Sequence, residues 1–212
     1  MTATALPRDL IVLVADRNMQ ATVQGVLQRT KALGIRDLTA DVRRHPGTDA
    51  GCRDAGVTYL AAFTTQYHHA LLMFDHEGCG REDIPPDELA AAIDQSLARA
   101  GWQDRAKTIV LVPELDIWVW SDSPHVDEVL GWKDRQPALR QWLADNRYLT
   151  AGQTKPARPK EALEAALKLV KKPRSSALYE TLAAKVGLGR CTDRAFIQLK
   201  TTLQAWFPPD AP

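Results

Sequence analysis

Ala70-Leu-Leu-Met-Phe-Asp75-His-Glu77-Gly-Cys-Gly80 is the stretch from which the rest of this chain is read. The apolar run Ala70–Phe74 is too short for a buried helix and is bounded by polar residues and glycines, so it reads as a central strand. The strand delivers Asp75 and Glu77 at its carboxyl end, and period-two alternation puts both on one side. In an open α/β sheet that edge is where ligands sit. Two close carboxylates there either bind a hard cation such as Mg²⁺ or repel each other and take up a proton. The plainer alternative is a solvated acidic loop after a buried strand.

Other strands deliver acids to the same edge, which favours the cation. Leu10-Ile-Val-Leu-Val-Ala15 reads as a strand running into Asp16, with a helix over about 19–33 that Gly34 ends. A second strand over about 37–42 carries Asp41 near its end. A polar loop follows, from Arg43-Arg44-His45 to Arg53, and then a helix over about 52–65. Residues 87–100 form an Ala-rich helix, and Lys107-Thr-Ile-Val-Leu-Val112 is a fourth strand running into Pro113-Glu114. Strands alternating with helices imply right-handed crossovers and a parallel sheet. The expected fold is therefore α/β: a Rossmann-like parallel sheet of about four strands flanked by helices over 1–122. A helical C-terminal part, 123–212, packs on it.

The chain has 212 residues, 45% hydrophobic and 25% charged, enough for one generous α/β core and too apolar for a disordered chain. No apolar run approaches the ~20 residues of a membrane span. The N-terminus lacks a basic-then-apolar signal, so a cytoplasmic protein with no membrane partner is expected. Cys52, Cys79 and Cys191 are widely spaced and make no Cys-x-x-Cys pair, so reduced thiols are expected and zinc is not favoured. Charge is unevenly divided. Residues 151–212 hold 11 Lys and Arg against 5 Asp and Glu, net +6; residues 1–150 hold 16 against 21, net −5. A basic tail segment beside an acidic sheet suits a polyanionic substrate, although a basic helical face is more often simply solvated.

Among candidate site residues, Asp75, Glu77 and Asp16 are the metal ligands, for Mg²⁺ or Mn²⁺. Asp16, Glu114 and His45 are the catalytic candidates, with Asp116 an alternative to Glu114 in completing the shell. The competing reading is that Asp16 and Glu114 merely cap helices. His45, in the Arg-Gly loop, is the histidine best placed for phosphate or general-acid work. His68 and His69 start the central strand, a sheet's height from Asp75, and read as structural; His76 points away from both acids. Arg43, Arg44 and Arg53 are placed to neutralise phosphate charge, and Lys171, Lys172 and Arg174 to contact a nucleic-acid backbone. The tryptophans at 118, 120, 132 and 142 read first as packing and second as base-stacking groups.

These residues resemble a Toprim-type domain, whose first strand ends in an acid and whose third ends in a metal-binding Asp-x-Asp. Val14-Ala15-Asp16 stands for the first and Asp75-His76-Glu77 for the second. The likeness extends to stand-alone Toprim-like proteins related to RloB and OLD-type nucleases of bacterial defence. Their Pro-x-Glu-x-Trp stretch is similar to Pro113-Glu114-Leu115-Asp116-Ile117-Trp118, and their C-terminal part to Tyr179-Glu-x-Leu-Ala and Arg190-Cys191-x-x-x-x-Phe196. The whole pattern is also similar to a component of methylation-associated phage defence systems. Two positions depart: the family's first acid is a glutamate one residue earlier, where this chain has Ala15, and the second aspartate is Glu77. The resemblance implies a divalent-metal-dependent nuclease hydrolysing DNA or RNA in antiphage defence. The alternative is a catalytically degenerate binding or regulatory subunit of a defence complex, docking other defence proteins through its tryptophan-rich helical part.

Overall fold

Residues 8–210 are described here from a computed structural model. Four parallel strands, β1 (Arg8–Val14), β2 (Ala40–Arg44), β3 (Tyr67–Asp75) and β4 (Ala106–Leu111), form one sheet in the order β2-β1-β3-β4. The α/β architecture and helical C-terminal part expected from the sequence are both present. β1 and β3 lie at the centre, and Leu10–Val14 and Ala70–Phe74 are fully buried. Such continuous apolar runs are what a parallel strand covered on both faces requires.

The helices of the sheet half are α1 (Arg17–Leu27), α2 (Thr30–Leu33), α3 (Thr48–Ala61) and α4 (Pro86–Leu97). The helix expected over 19–33 is thus broken at Gln28–Arg29. There the Arg29 guanidinium donates to the carbonyls of Ala183 and Val186, so a tertiary contact sets the break. After β4 a 3-10 turn (Leu115–Trp118) leads into α5 (Pro124–Leu130), α6 (Leu139–Asp145), α7 (Pro159–Leu169), α8 (Ser176–Lys185) and α9 (Arg194–Trp206).

The C-terminal helices complete the layer over the sheet. α8 lies along α1 so closely that a Cβ at Gly25 would stand 2.8 Å from the Ala183 Cβ. α9 packs on β4, and its Gln204 amide donates to the Leu33 carbonyl at 2.7 Å. At the amino edge of the sheet, His69 stacks on Trp206 at 4.3 Å and meets Phe207 edge-on. One apolar core consequently runs from Leu10 to Phe207. No helix among the described residues is long and apolar enough to cross a membrane.

Candidate functional site

The chain passes from β1 to β2 on one side of the sheet and to β3 and β4 on the other. The order therefore reverses between β1 and β3, and the crevice beyond their carboxyl ends is where such sheets take ligands. Val14 and Met73 are register partners. Asp16 and Asp75 each stand two residues further on, so they leave the ladder side by side.

Asp75 is the centre. Its Oδ1 accepts the Leu115 backbone N–H at 2.9 Å, and its own N–H donates to Asp49 Oδ1 at 2.8 Å. Asp16 caps α1, its Oδ1 accepting from the Met19 N–H at 2.8 Å. Each of these carboxylates has one oxygen fixed by a backbone amide. The second has no hydrogen bond among the described residues. Burial, then Asp49 and Asp16, and more weakly Glu114, hold the Asp75 carboxyl well above the ordinary carboxylate range. Burial and the Asp16 charge also push Asp49 up, while Lys160 pulls it down.

Glu114 enters from the segment after β4 and is only 8% exposed. Its Oε1 accepts the Lys160 backbone N–H at 3.2 Å, and Oε2 stands 3.9 Å from the Lys160 ammonium. Glu114 thereby caps the start of α7, where the N-cap residue Arg158 makes no capping side-chain hydrogen bond. Burial and the charges of Asp116 and Glu77, opposed by Lys160, raise the Glu114 carboxyl to about 7. Glu77 itself is exposed at the rim, its N–H donating to the Pro113 carbonyl.

The remaining candidates divide. His45 extends β2, donating its N–H to the Val14 carbonyl at 2.9 Å. Its ring Nδ1 accepts from the Gly47 N–H at 3.0 Å and lies so close to Gly51 that any Cβ there would overlap it. Arg44 is exposed at the end of β2 with no partner among the described residues. Arg53 pairs with Asp54 at 2.7 Å and lies beside Gly80 in the turn after β3.

Arg43 belongs elsewhere: its guanidinium sits 4.7 Å over the Phe63 ring, among Tyr59 and Tyr67, toward the amino edge. Asp41 is bound by Arg8 and Tyr67 at that same edge, so it is not one of the converging acids. His76 is structural, its Nε2 2.9 Å from the Ile84 carbonyl.

Asp116 and Arg174 do not join the site either. Asp116, 1% exposed, accepts from Arg174 at 2.9 Å and from the Tyr179 hydroxyl at 2.5 Å. Lys172 donates to the Val129 carbonyl at the end of α5. Lys171 is exposed but lies past the far end of α7, about 16 Å along its axis from Lys160. The basic cluster expected from Lys171, Lys172 and Arg174 is therefore not assembled at the carboxylates.

Asp49 and Lys160 are site residues that local sequence pattern does not single out. A helix placed at 52 left Asp49 in a loop, whereas α3 begins at Thr48. The signal available was an acidic residue just after Gly47, a first-turn preference. Lys160 arrives from a distant helix, and no local pattern announces it.

As the side chains stand, no group of three or more His, Cys, Asp or Glu among the described residues is gathered tightly enough to cage a metal ion. Comparison of the chain with protein-family models, curated proteins and solved structures finds no match.

Proposed function

We propose that the protein is a divalent-metal-dependent phosphodiesterase that hydrolyses DNA or RNA, acting in bacterial antiphage defence. The observation that carries this reading is the convergence of Asp16, Asp49, Asp75 and Glu114 at the β1/β3 reversal. Several of these acids have one oxygen fixed by an amide and the other uncommitted. An all-oxygen set of anchored carboxylates with room for water fits Mg²⁺ or Mn²⁺. Asp16, Asp49 and Asp75 would hold the ion, with Glu77 at the rim; the ion would supply a Lewis acid and an acidified water. Glu114 is raised to about 7, so it can carry a proton at Oε2 near neutral pH and exchange it with a reacting oxygen. The place in defence rests on the Toprim-type resemblance.

Purified protein incubated with plasmid, linear duplex, single-stranded DNA and RNA in each divalent metal tests the reading. Cleavage by the wild type, reduced at least about 100-fold in Asp75→Ala, is the expected result. No cleavage by the wild type, or equal cleavage by the variant, sinks it. The alternative is a degenerate subunit docking partners through its tryptophan-rich helical part, and the burial of these tryptophans gives it less support. Trp120 and Trp132 are buried, and Trp118 and Trp142 pack half-buried against the same core.

A further inference from the structure

Most arginines of this chain are committed to a carboxylate, a backbone carbonyl or an aromatic ring. Arg17 and Arg44 are exceptions. Both are exposed, and neither has a hydrogen bond, ion pair or ring contact among the described residues. Both stand at or just past the carboxyl ends of neighbouring strands. Arg44 ends β2 and is the register partner of Val14, and Arg17 is the first residue of α1, directly after Asp16. Period-two alternation turns Arg44 away from Arg43, which is spent on Phe63. On the opposite flank stands Lys160, about half exposed, its ammonium 3.9 Å from Glu114.

Across the carboxyl edge the order is thus cationic at β2 and α1, anionic at β1, β3 and α3, and cationic again at Lys160, beside the segment that follows β4. Neighbouring strands lie about 4.8 Å apart, so Arg44 at the end of β2 stands three spacings, about 14 Å, from the end of β4, which leads into Glu114 and its partner Lys160. One phosphate cannot touch both flanks. A chain of phosphates can, because a nucleic-acid strand carries a charge every ~3.4 Å along its axis.

We infer that Arg17 and Arg44 on one side and Lys160 on the other form a phosphate track that lays a nucleic-acid strand across the sheet edge, perpendicular to the β-strands. One phosphate rests at Arg17 and Arg44, a second lies over Asp16, Asp49 and Asp75, and a third meets Lys160. This deepens the phosphodiesterase reading and rests on it for the role of the middle phosphate. It selects polymer over mononucleotide, and it replaces the C-terminal lysines with residues of the sheet edge as the backbone contacts.

Binding of a fluorescently labelled oligonucleotide by the full chain, followed by anisotropy across a series of NaCl concentrations with Mg²⁺ present, tests it. Asp75→Asn is used as the background, so that cleavage does not intrude. Arg17→Gln, Arg44→Gln and Lys160→Gln should each weaken binding and flatten the slope of log K against log salt by about 0.7–0.9. Lys171→Gln and Lys168→Gln should leave both unchanged. A mononucleoside monophosphate should not compete at concentrations where unlabelled oligonucleotide does. Unchanged slopes in the arginine variants, an equal loss in Lys171→Gln, or equal competition by the mononucleotide overturns the track. Binding with these slopes but no cleavage by the wild type would leave the track standing and remove the nuclease. Cleavage with unchanged slopes would do the reverse.

Discussion

Asp75 is in electrostatic conflict with its surroundings. Its carboxylate accepts one amide but is buried, and the charges of Asp49, Asp16 and Glu114 add to that cost, so its folded pKa lies above its unfolded one. The folded protein then binds this proton more tightly than the unfolded chain. The stability this confers is full below the unfolded value of ~4 and is lost as pH rises through the folded one. Glu114, raised to about 7, acts in the same direction between the two values. The metal-free protein should therefore melt at a higher temperature near pH 5 than near pH 8. A cation bound only by the folded state should offset the loss, by roughly 2.7 kcal/mol at a hundredfold excess over its dissociation constant. Asp75→Asn keeps an oxygen for the Leu115 amide and removes the charge. It should raise metal-free stability near pH 8 and abolish most of the response to Mg²⁺ or Mn²⁺. Thermal melts of both proteins, with and without metal at both pH values, decide. A wild type indifferent to metal, or a variant that keeps the shift, separates these acids into unrelated groups.

At the scale of the element, β3 was legible because a buried parallel strand must be continuously apolar, and its end must be where charge returns. Asp75 and Asp16 followed from that rule. Exact ends were not legible, and the site depends on them. β2 was expected over 37–42 and lies at Ala40–Arg44, which draws both arginines into the strand and turns them to opposite faces. α3 starts four residues earlier than expected, which brings in Asp49. Asp116 illustrates a different failure: proximity in sequence to Glu114 says nothing of where a 3-10 turn directs successive side chains. The turn sends Asp116 inward to Arg174 and Tyr179, joining the segment after β4 to the start of α8. Removing one member of a buried, hydrogen-bonded pair leaves the other uncompensated. Asp116→Ala should cost about 3 kcal/mol in urea unfolding, and Asp116→Leu with Arg174→Met should recover much of it. A loss below ~1 kcal/mol for the single change would mean that solvent already screens the pair.

For the whole molecule, the charge asymmetry has an internal use that sequence counts could not reveal. Four basic residues of the C-terminal segment meet acids of the first 150 residues: Lys160 with Glu114, Arg174 with Asp116, Lys185 with Glu128, and Arg194 with Asp87. The exposed pairs contribute little stability each; Lys185–Glu128 joins α8 to α5 within the helical part, and Arg194–Asp87 links α9 to α4 of the sheet half. Its attachment is apolar. α8 covers α1 at the Gly25–Ala183 approach, α9 covers β4, and Trp206 and Phe207 close over His69. The core has no seam near residue 122, since its members run without interruption from Leu10 to Phe207. Cutting the chain there would expose the outer face of α1 and the flank of β4 to water, at roughly 25 cal/mol for each Å² of apolar area. Residues 1–122 alone should then fail to fold. The full chain should unfold in one cooperative step, even though many chains of its length populate intermediates. Trp102 lies in the sheet half, and Trp132 and Trp142 in the helical half, so tryptophan fluorescence samples both sides. Fluorescence and far-UV circular dichroism should give coincident urea transitions. Two separated transitions, or a soluble 1–122 fragment with native-like dichroism, would show that the helical part is a separable domain.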